Sequence, residues 1–420
     1  MSPTSLAATA TQERDEARTF QGRKLRRTKW KGVEVEVVEG LLAYRYKQKK
    51  ELETGFASNA IGAQALRSGK LNALGIGILD FGESLAEERA FAASEILGPD
   101  VLWAEPVMLD YGFATPNDQF FSQQWALKEI KAESAWDLWK GASEKVILAI
   151  LDSGIPLQNK KLSHTDLGDA KRFHLGHDFI NNHDDPTDDH GHGTHVAGIA
   201  AAQVDNQVGV AGLAWNTQVL VIKVFNTNLD GSNEVFMNGV LSAIEYAKKS
   251  RKHLIINYSG GGPPGDLKHD AVKQAHDSGA LMVAAAGNDY GCSIRHPAAY
   301  STEFDSVIAV GAVNRNRERA DFSNRGPEMT VVAPGVDILS TMPDYYVTAN
   351  ASGKQTKYDR WEGTSMATPF VAALAALIWS KSPGMTAAQV CRRLTDTADK
   401  VTGDTEEVGS GIINARKALE

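Results

Sequence analysis

Five short, almost unbroken apolar runs constrain the fold of this chain more than any other feature of its sequence. They are Val146–Leu151, Val219–Phe225, Leu254–Ser259, Leu281–Ala286 and Val307–Val313. Runs of this length suit parallel strands that are buried on both faces. Helical patterns lie between them, at His192–Gln203, Glu234–Ser250 and Asp266–Ser278. This alternation predicts an α/β fold with a doubly wound, mostly parallel sheet flanked by helices, and a ligand site at the carboxyl ends of its strands.

Length and charge limit the classes of protein to which the chain can belong. It has 420 residues, more than one hydrophobic core usually organises, so we expect two or three domains. Residues 1–113 hold 15 Lys and Arg against 16 Asp and Glu, whereas residues 114–420 hold 29 against 36. The acidic larger part argues against nucleic acid as its partner. No run approaches 18 apolar residues, so we expect no membrane span.

The N-terminal third has a different pattern from the rest. Residues 1–29 are polar, include most of a basic cluster and show no periodicity, so we expect a disordered leader. Residues 30–113 suit a small α+β domain of ferredoxin-like type. Its expected strands are Val33–Val37, Leu41–Tyr46, Leu74–Phe81 and Val101–Leu109, and its expected helices are Ala57–Arg67 and Ser84–Leu97.

Cysteine usage and the start of the sequence bear on the compartment. Cys292 and Cys391 are too few for a disulfide framework, and they leave either one bridge or two free thiols. The first 30 residues lack the apolar core of a signal peptide. Either the chain stays inside the cell, or a leader has been removed from it.

Three separate blocks carry the residue types of a nucleophilic serine site. Ser365 stands at the start of a helical pattern, His192 opens another, and Asp152 ends an apolar run. A serine hydroxyl is a weak nucleophile at neutral pH, so a base must take its proton. Histidine can do so, and an aspartate can fix its tautomer and stabilise the imidazolium. Taken singly, the three could be a turn residue, a structural histidine and a residue near a helix N-cap.

These blocks resemble the signature motifs of the subtilisin-like serine proteases. The resemblance rests on the order Asp152, His192, Ser365, on Gly363-Thr364-Ser365-Met366-Ala367-Thr368-Pro369 and on Val283-Ala284-Ala285-Ala286-Gly287-Asn288. Thr115-Pro116-Asn117-Asp118 is similar to the start of the mature enzyme in the thermitase branch. The similarity covers residues 114–420. It implies a serine endopeptidase with these three residues as catalytic triad, Asn288 as oxyanion donor, and residues 30–113 as propeptide domain.

The resemblance also implies where a peptide would bind. Ser259, Gly260 and Gly261 follow an apolar run and carry no bulky side chain, so a substrate strand can add to this edge through backbone hydrogen bonds. The loop containing Gly231 would form the opposite wall. Small residues at Gly260, Gly261 and Ala285 leave room for a large apolar or aromatic P1 side chain. Recognition through the backbone predicts broad specificity for protein and peptide substrates.

A calcium site follows from the same resemblance. Its ligands would be the side chains of Asp118, Asp166 and Asn206 and the carbonyls of Val204, Val208 and Val210. Hard oxygen ligands fit Ca²⁺ better than a transition metal. Without the resemblance, residues 204–210 read as a surface turn. A zinc site in the acidic, histidine-bearing segment 183–195 is disfavoured, because His192 and His195 lack the His-Glu-x-x-His pattern.

The resemblance also bears on how the chain is processed and where it is located. Alignment to the thermitase-like start predicts self-cleavage between Phe113 and Ala114, after which the propeptide acts as inhibitor of a monomeric enzyme. The family and the propeptide favour secretion, and the missing signal pattern keeps the cytoplasm as the alternative. An inactive peptide-binding relative and a different serine hydrolase, such as an esterase, are the other functional hypotheses.

Overall fold

A computed structural model describes residues 19–20, 23–30, 33–46, 64–66, 76–80, 101–108, 115–139, 145–168 and 170–420. The chain divides into two compact units, Met1–Gly112 and Phe113–Glu420. Each unit is described by itself.

An antiparallel sheet makes up the described part of the first unit. Its strands are β1 (Thr19–Phe20), β2 (Arg23–Trp30), β3 (Val33–Tyr46), β4 (Gln64–Leu66), β5 (Ile76–Asp80) and β6 (Val101–Met108). They follow the order β1-β2-β3-β5-β4, and β6 also pairs with β3. The two strands predicted at Val33–Val37 and Leu41–Tyr46 are thus one continuous strand.

Two expectations for this unit need correction. Disorder is wrong for residues 23–29, because β2 pairs with β3 from Leu25↔Val38 to Trp30↔Val33. The helix expected at Ala57–Arg67 is wrong over Gln64–Leu66, where pairing with β5 makes a strand. The rest of that helix and the helix expected at Ser84–Leu97 lie outside the described residues, so the ferredoxin-like arrangement stays a prediction.

A parallel sheet of seven strands forms the centre of the second unit. The strands of this unit are β7 (Val146–Asp152), β8 (Leu157–Gln158), β9 (Lys161–Leu162), β10 (Phe173–Asp178), β11 (Gln218–Lys223), β12 (His253–Tyr258), β13 (Leu281–Ala285), β14 (Val307–Val313), β15 (Val331–Pro334), β16 (Ile338–Thr341) and β17 (Tyr358–Trp361). The parallel order is β10-β11-β7-β12-β13-β14-β15, and β8 with β9 and β16 with β17 form two small antiparallel pairs. The predicted doubly wound sheet is confirmed.

Helices cover both faces of this sheet. They are α1 (Trp125–Glu129), α2 (Ala132–Trp136), α3 (His192–Ala201), α4 (Asn233–Ser250), α5 (Asp266–Asp277), α6 (Thr348–Ala351), α7 (Thr364–Lys381), α8 (Ala387–Asp396), α9 (Thr405–Val408) and α10 (Ala415–Leu419). Short 3-10 helices occur at Phe121–Gln123, Thr165–Leu167, Ala170–Arg172 and Ala298–Thr302. Across the described ranges, none of the helices is long and apolar enough to cross a membrane.

Strand β7 shows why its sequence is apolar at every position. All of its seven residues are buried. Val146, Leu148 and Ile150 join the core cluster that contains α3 and α7, whereas Ile147 and Leu151 join the cluster that contains α4 and α5. Because alternate side chains enter opposite cores, no position can be polar until the strand ends.

The same strand marks the point where the order of strand addition reverses, because successive strands are added first on one side of it and then on the other. Strands β11 and β10 lie on one side of β7, and β12 to β15 lie on the other. Ligand sites in such sheets lie at the carboxyl ends of the strands beside this point. Asp152 ends β7, Ser259 follows β12 directly, and Asn288 lies three residues beyond β13.

Candidate active site

Asp152 and His192 form a buried hydrogen-bonded pair. The Nδ1 atom of His192 lies 2.7 Å from Oδ1 of Asp152, and both residues are at most 5 % exposed. Burial alone would lower the pKa of His192, but the charge of Asp152 and its hydrogen bond outweigh burial and raise that pKa above its ordinary value. The pairing directs Nε2, the other ring nitrogen, away from Asp152. This is the arrangement that a general base requires.

A second aspartate joins the strand that carries Asp152 to the helix that carries His192. Oδ1 of Asp188 accepts from the Ser153 hydroxyl and from the Gly191 amide, both at 2.8 Å. Its Oδ2 accepts from the Thr194 amide at 2.9 Å. The Ser153 amide in turn donates to Oδ1 of Asp152 at 2.8 Å. The start of α3 and the end of β7 are therefore fixed together by one buried carboxylate and one serine.

Ser365 lies in the first turn of α7, after a glycine that sets the chain direction. Gly363 has a φ of 142°, a conformation that side-chain-bearing residues rarely adopt. The Ser365 hydroxyl donates to the Ser259 carbonyl at 2.9 Å rather than to His192. The Ser259 hydroxyl donates to the Ser365 carbonyl, also at 2.9 Å. This reciprocal pair fixes Ser365 to the residue that follows β12.

Asn288 is held with its amide nitrogen free for a ligand. Its Oδ1 accepts from the amide and from the hydroxyl of Thr364, both at 2.9 Å. The Thr364 amide can only donate, so the atom facing it must be oxygen and Nδ2 must be the other arm. A Cβ at Gly363 would lie 3.4 Å from Nδ2 of Asn288 and 3.6 Å from the Ser365 amide nitrogen. Two donors therefore border one small space at the start of α7.

A tryptophan packs against the histidine side of the site. The ring of Trp361 lies 5.8 Å from that of His192, and it stacks on His195 at 5.2 Å. Trp361 ends β17, four residues before Ser365. Burial lowers the pKa of His195 to about 3, so this histidine is neutral and structural. Sequence reasoning missed Trp361, because the pattern around it is short and its partners are far away in the chain.

At each glycine expected to line the cleft, the neighbouring atoms leave no room for a Cβ. A Cβ at Gly260 would lie 2.5 Å from the ring of Phe225, and one at Gly231 would lie 2.5 Å from the Val224 carbonyl. A Cβ at Gly261 would lie 2.7 Å from Cβ of the Arg295 side chain.

Two further residues lie near these glycines or near Asn288 in the chain. Ala285 is buried at the end of β13. The Arg295 side chain, which the sequence did not indicate, ends in an ion pair with Asp289 at 2.7 Å, next to Asn288.

The residues expected to bind calcium are brought together in part. Asp118 Oδ2 accepts from the Asp205 amide at 3.0 Å, and Asp166 Oδ2 accepts from the Val210 amide at 2.7 Å. The amide nitrogen of Asn206 donates to Asp166 Oδ1 at 2.9 Å. Both carboxylates thus contact the loop that contains Val204 and Val208.

The electrostatics of this group fit a hard cation. Oδ1 of Asp118 is buried and has no hydrogen-bond partner. Burial raises the pKa of Asp118, and burial together with the nearby charge of Asp118 raises the pKa of Asp166 to about 6. Considering only the described residues, no cluster of three or more His, Cys, Asp or Glu could hold a metal. An ion here would therefore depend on two carboxylates supplemented by amide and carbonyl oxygens.

The two cysteines are both free thiols, Cys292 exposed and Cys391 buried. The alternative of a single bridge between them is thereby excluded.

The chain matches the model of the subtilase family over residues 143–411. It belongs to that family, whose members are subtilisin-type proteases. The match spans the strand that ends at Asp152 and both helices that begin at His192 and Thr364.

Individual relatives give the same result. The chain is 41 % identical to subtilisin DY of Bacillus licheniformis over 283 residues, 67 % of this chain and 93 % of that protein. It is 35 % identical to thermitase of Thermoactinomyces vulgaris over 308 residues, 73 % of this chain and 99 % of thermitase. A solved protease from Pseudoalteromonas arctica superposes with a TM-score of 0.61 at 28 % identity, over 73 % of this chain and 99 % of that one. The protein is a subtilisin-type serine endopeptidase, consistent with a place near the thermitase branch.

Proposed function

We propose that Ser365, His192 and Asp152 form the catalytic triad of this endopeptidase. The observation that supports it most directly is the buried 2.7 Å bond between Asp152 and His192, in a protein whose family hydrolyses peptide bonds by serine catalysis. Asp152 keeps the Nδ1 proton on the ring and so leaves Nε2 to act as the base. Ser365 reaches that base by rotating its hydroxyl away from the Ser259 carbonyl.

The proposed reaction proceeds through an acyl-enzyme. His192 takes the hydroxyl proton as Ser365 Oγ attacks the scissile carbonyl, and the new oxyanion accepts hydrogen bonds from Asn288 Nδ2 and the Ser365 amide. Collapse of this intermediate breaks the peptide bond, and His192 gives its proton to the leaving amine. Water then repeats the sequence on the acyl-enzyme, which releases the new carboxylate and restores Ser365.

Substrate binding would use the edge that follows β12. Backbone groups of Ser259, Gly260 and Gly261 would pair with an extended peptide, with Gly231 on the opposite wall. Pairing through the backbone reads no side chains, which supports broad specificity. We also infer a preference for a large apolar or aromatic residue at P1. This preference rests on the family resemblance, since the Phe225 ring and the Arg295 side chain already occupy the space beside Gly260 and Gly261.

The first unit would act as a propeptide. The division of the chain after Gly112 supports a processing point between Phe113 and Ala114, which lie at the start of the second unit. A separate folded unit attached ahead of the protease is suited to act as its folding aid and inhibitor. The family also supports secretion and a monomeric mature enzyme.

Calcium is the proposed ion of the mature enzyme. Asp118, Asp166 and Asn206 would hold it with the carbonyls of Val204, Val208 and Val210. The ion would neutralise the two buried carboxylates and tie the start of the second unit to the loop that follows α3. It has no part in the proposed chemical steps.

An intact-mass time course tests the triad and the propeptide together. The full chain and its Ser365→Ala variant would be incubated with calcium and assayed on casein. We expect the wild type alone to lose residues 1–113 and then to hydrolyse casein. Processing of both chains would refute self-cleavage, and hydrolysis by Ser365→Ala would refute the assignment of the nucleophile.

A further inference from the structure

Lys223 is a lysine with no exposed surface in the core of the second unit. It ends β11 directly opposite Asp152 in the parallel register of β11 with β7. Its ammonium donates to the Ser153 carbonyl at 2.7 Å and to Asp189 Oδ1 at 2.6 Å. A buried ammonium strongly opposes folding unless it is paired and hydrogen-bonded, so its retention at this place needs a reason.

The surrounding charges supply that reason. Asp152 and Asp188 are buried at 1 % and 0 % exposure, and Asp189 is a partly exposed third carboxylate. Burial alone would raise the pKa of Asp188, but hydrogen bonds from Thr194 and Gly191 and the charge of Lys223 hold it below its ordinary value. Lys223 is thus the cation that accompanies a buried carboxylate cluster next to the catalytic histidine.

Lys223 also acts through a short chain of hydrogen bonds. The Ser153 carbonyl accepts from Lys223, while the Ser153 amide donates to the Asp152 carboxylate at 2.8 Å. The Ser153 hydroxyl donates to Asp188 and accepts from the Gly193 amide, both at 2.8 Å. Every polar group of Ser153 is therefore hydrogen-bonded, and Lys223 holds its carbonyl.

We propose that Lys223 is a positioning residue for the catalytic pair: it holds Ser153 in place and neutralises the carboxylates around it, so that Asp152 and His192 keep their geometry and proton affinity. The proposal rests on the proposed triad, because it assigns a role relative to those two residues. Lys223 itself does not touch the substrate.

The role has an electrostatic signature. The imidazole of His192 faces the carboxylates of Asp152 and Asp188 and the rings of His190, His195 and Trp361. Removing a nearby positive charge leaves the carboxylates less compensated and favours the imidazolium. The pKa of His192 should therefore rise, and the acid limb of the kcat/KM profile should move to higher pH.

The test uses the full chain with Lys223→Met, which keeps an unbranched stem but removes the charge and both hydrogen bonds. Lys223→Gln keeps a donor without the charge, in case the first variant does not fold. Lys381→Met is the matched control. Lys381 is the last residue of α7, far from Ser365 at its start, and its ammonium also donates to a backbone carbonyl, that of Leu419. Intact mass would first confirm that all variants are processed to the same extent. Rates on a peptide anilide would then be divided by the concentration of active enzyme, measured as Ser365 labelled by a fluorophosphonate.

We expect either Lys223 variant to lose about 10- to 100-fold in kcat with KM within about threefold, as for small displacements of catalytic groups. The midpoint of the acid limb of its kcat/KM profile should move to higher pH by at least about 0.5 unit. Lys381→Met should match the wild type in both respects. A folded Lys223 variant with a wild-type limb would overturn the proposal, even if its kcat is lower. A wild-type chain that neither labels nor hydrolyses would instead refute the proposed function.

Discussion

At the residue scale, the site depends on the absence of a side chain at Gly363. Gly363 leaves open the space between Asn288 Nδ2 and the Ser365 amide, which a Cβ would enter at 3.4 and 3.6 Å. The two groups proposed as oxyanion donors would need that space to stay free. A glycine here serves two purposes, because residues with a side chain also rarely adopt its φ of 142°.

Gly363→Ala should therefore reduce kcat strongly while the variant still folds. We expect a loss of about 10²-fold or more in kcat, the range known for loss of an oxyanion donor in a subtilisin, with KM little changed. Gly353→Ala is the control for backbone strain, since Gly353 has a φ of 87° and nothing within 4 Å of its Cβ position. Equal kcat losses in the two variants would contradict the oxyanion explanation.

At the element scale, helix α7 contains a proline where a helix usually tolerates none. Pro369 has no amide proton, so it cannot donate to the carbonyl of Ser365 four residues earlier. The Ser259 hydroxyl donates to that carbonyl instead. The carbonyl left free by Pro369 is thus satisfied by Ser259, which directly follows β12 and connects the first turn of α7 to the end of that strand.

A double-mutant cycle on Ser259 and Pro369 should show this coupling. In the inactive Ser365→Ala background, Ser259→Ala should lower the free energy of unfolding by about 1 kcal/mol, because the partly buried carbonyl of residue 365 loses its partner. With Pro369→Ala present, the helix can supply its own bond, so the same change should matter less. Urea unfolding measures both. A Ser259→Ala effect that is the same in both backgrounds would refute the link.

At the scale of the whole molecule, binding of the proposed calcium ion would compete with proton binding for the carboxylates of Asp118 and Asp166. With no cation bound, the raised pKa of Asp166, about 6, means that the folded state favours the protonated carboxyl. Ionising it as the pH rises from about 4 through 6 removes stability, the reverse of a salt-bridged aspartate. A calcium ion would need the ionised form, so its effect should grow over the same range.

Calcium should therefore raise the Tm of the full-length Ser365→Ala chain more at pH 7.5 than at pH 5. We expect an increase of roughly 5 °C at the higher pH and a much smaller one at the lower pH. Differential scanning calorimetry with calcium or with a chelator measures it. Asp166→Asn should abolish the difference, and an equal increase at both pH values would argue against this site.

Much of this protein follows from local sequence patterns. The parallel sheet was predictable because both faces of each strand are buried, which forces continuous apolar runs such as the one in β7. The proposed triad residues were marked by motif and order, since Asp152 ends β7, His192 begins α3 and Ser365 lies in the first turn of α7. Such signals are local and survive without knowledge of the neighbours.

Only the tertiary structure decided what surrounds these residues. No local pattern marks the role of Lys223 or Asp188, and their burial beside Asp152 depends on strand register and on the loop before α3. Strand β2, in a segment without periodicity, forms because β3 provides a partner. The chemistry of the site was thus determined by residue identity, whereas its support was decided by contacts between segments far apart in the chain, which no local pattern records.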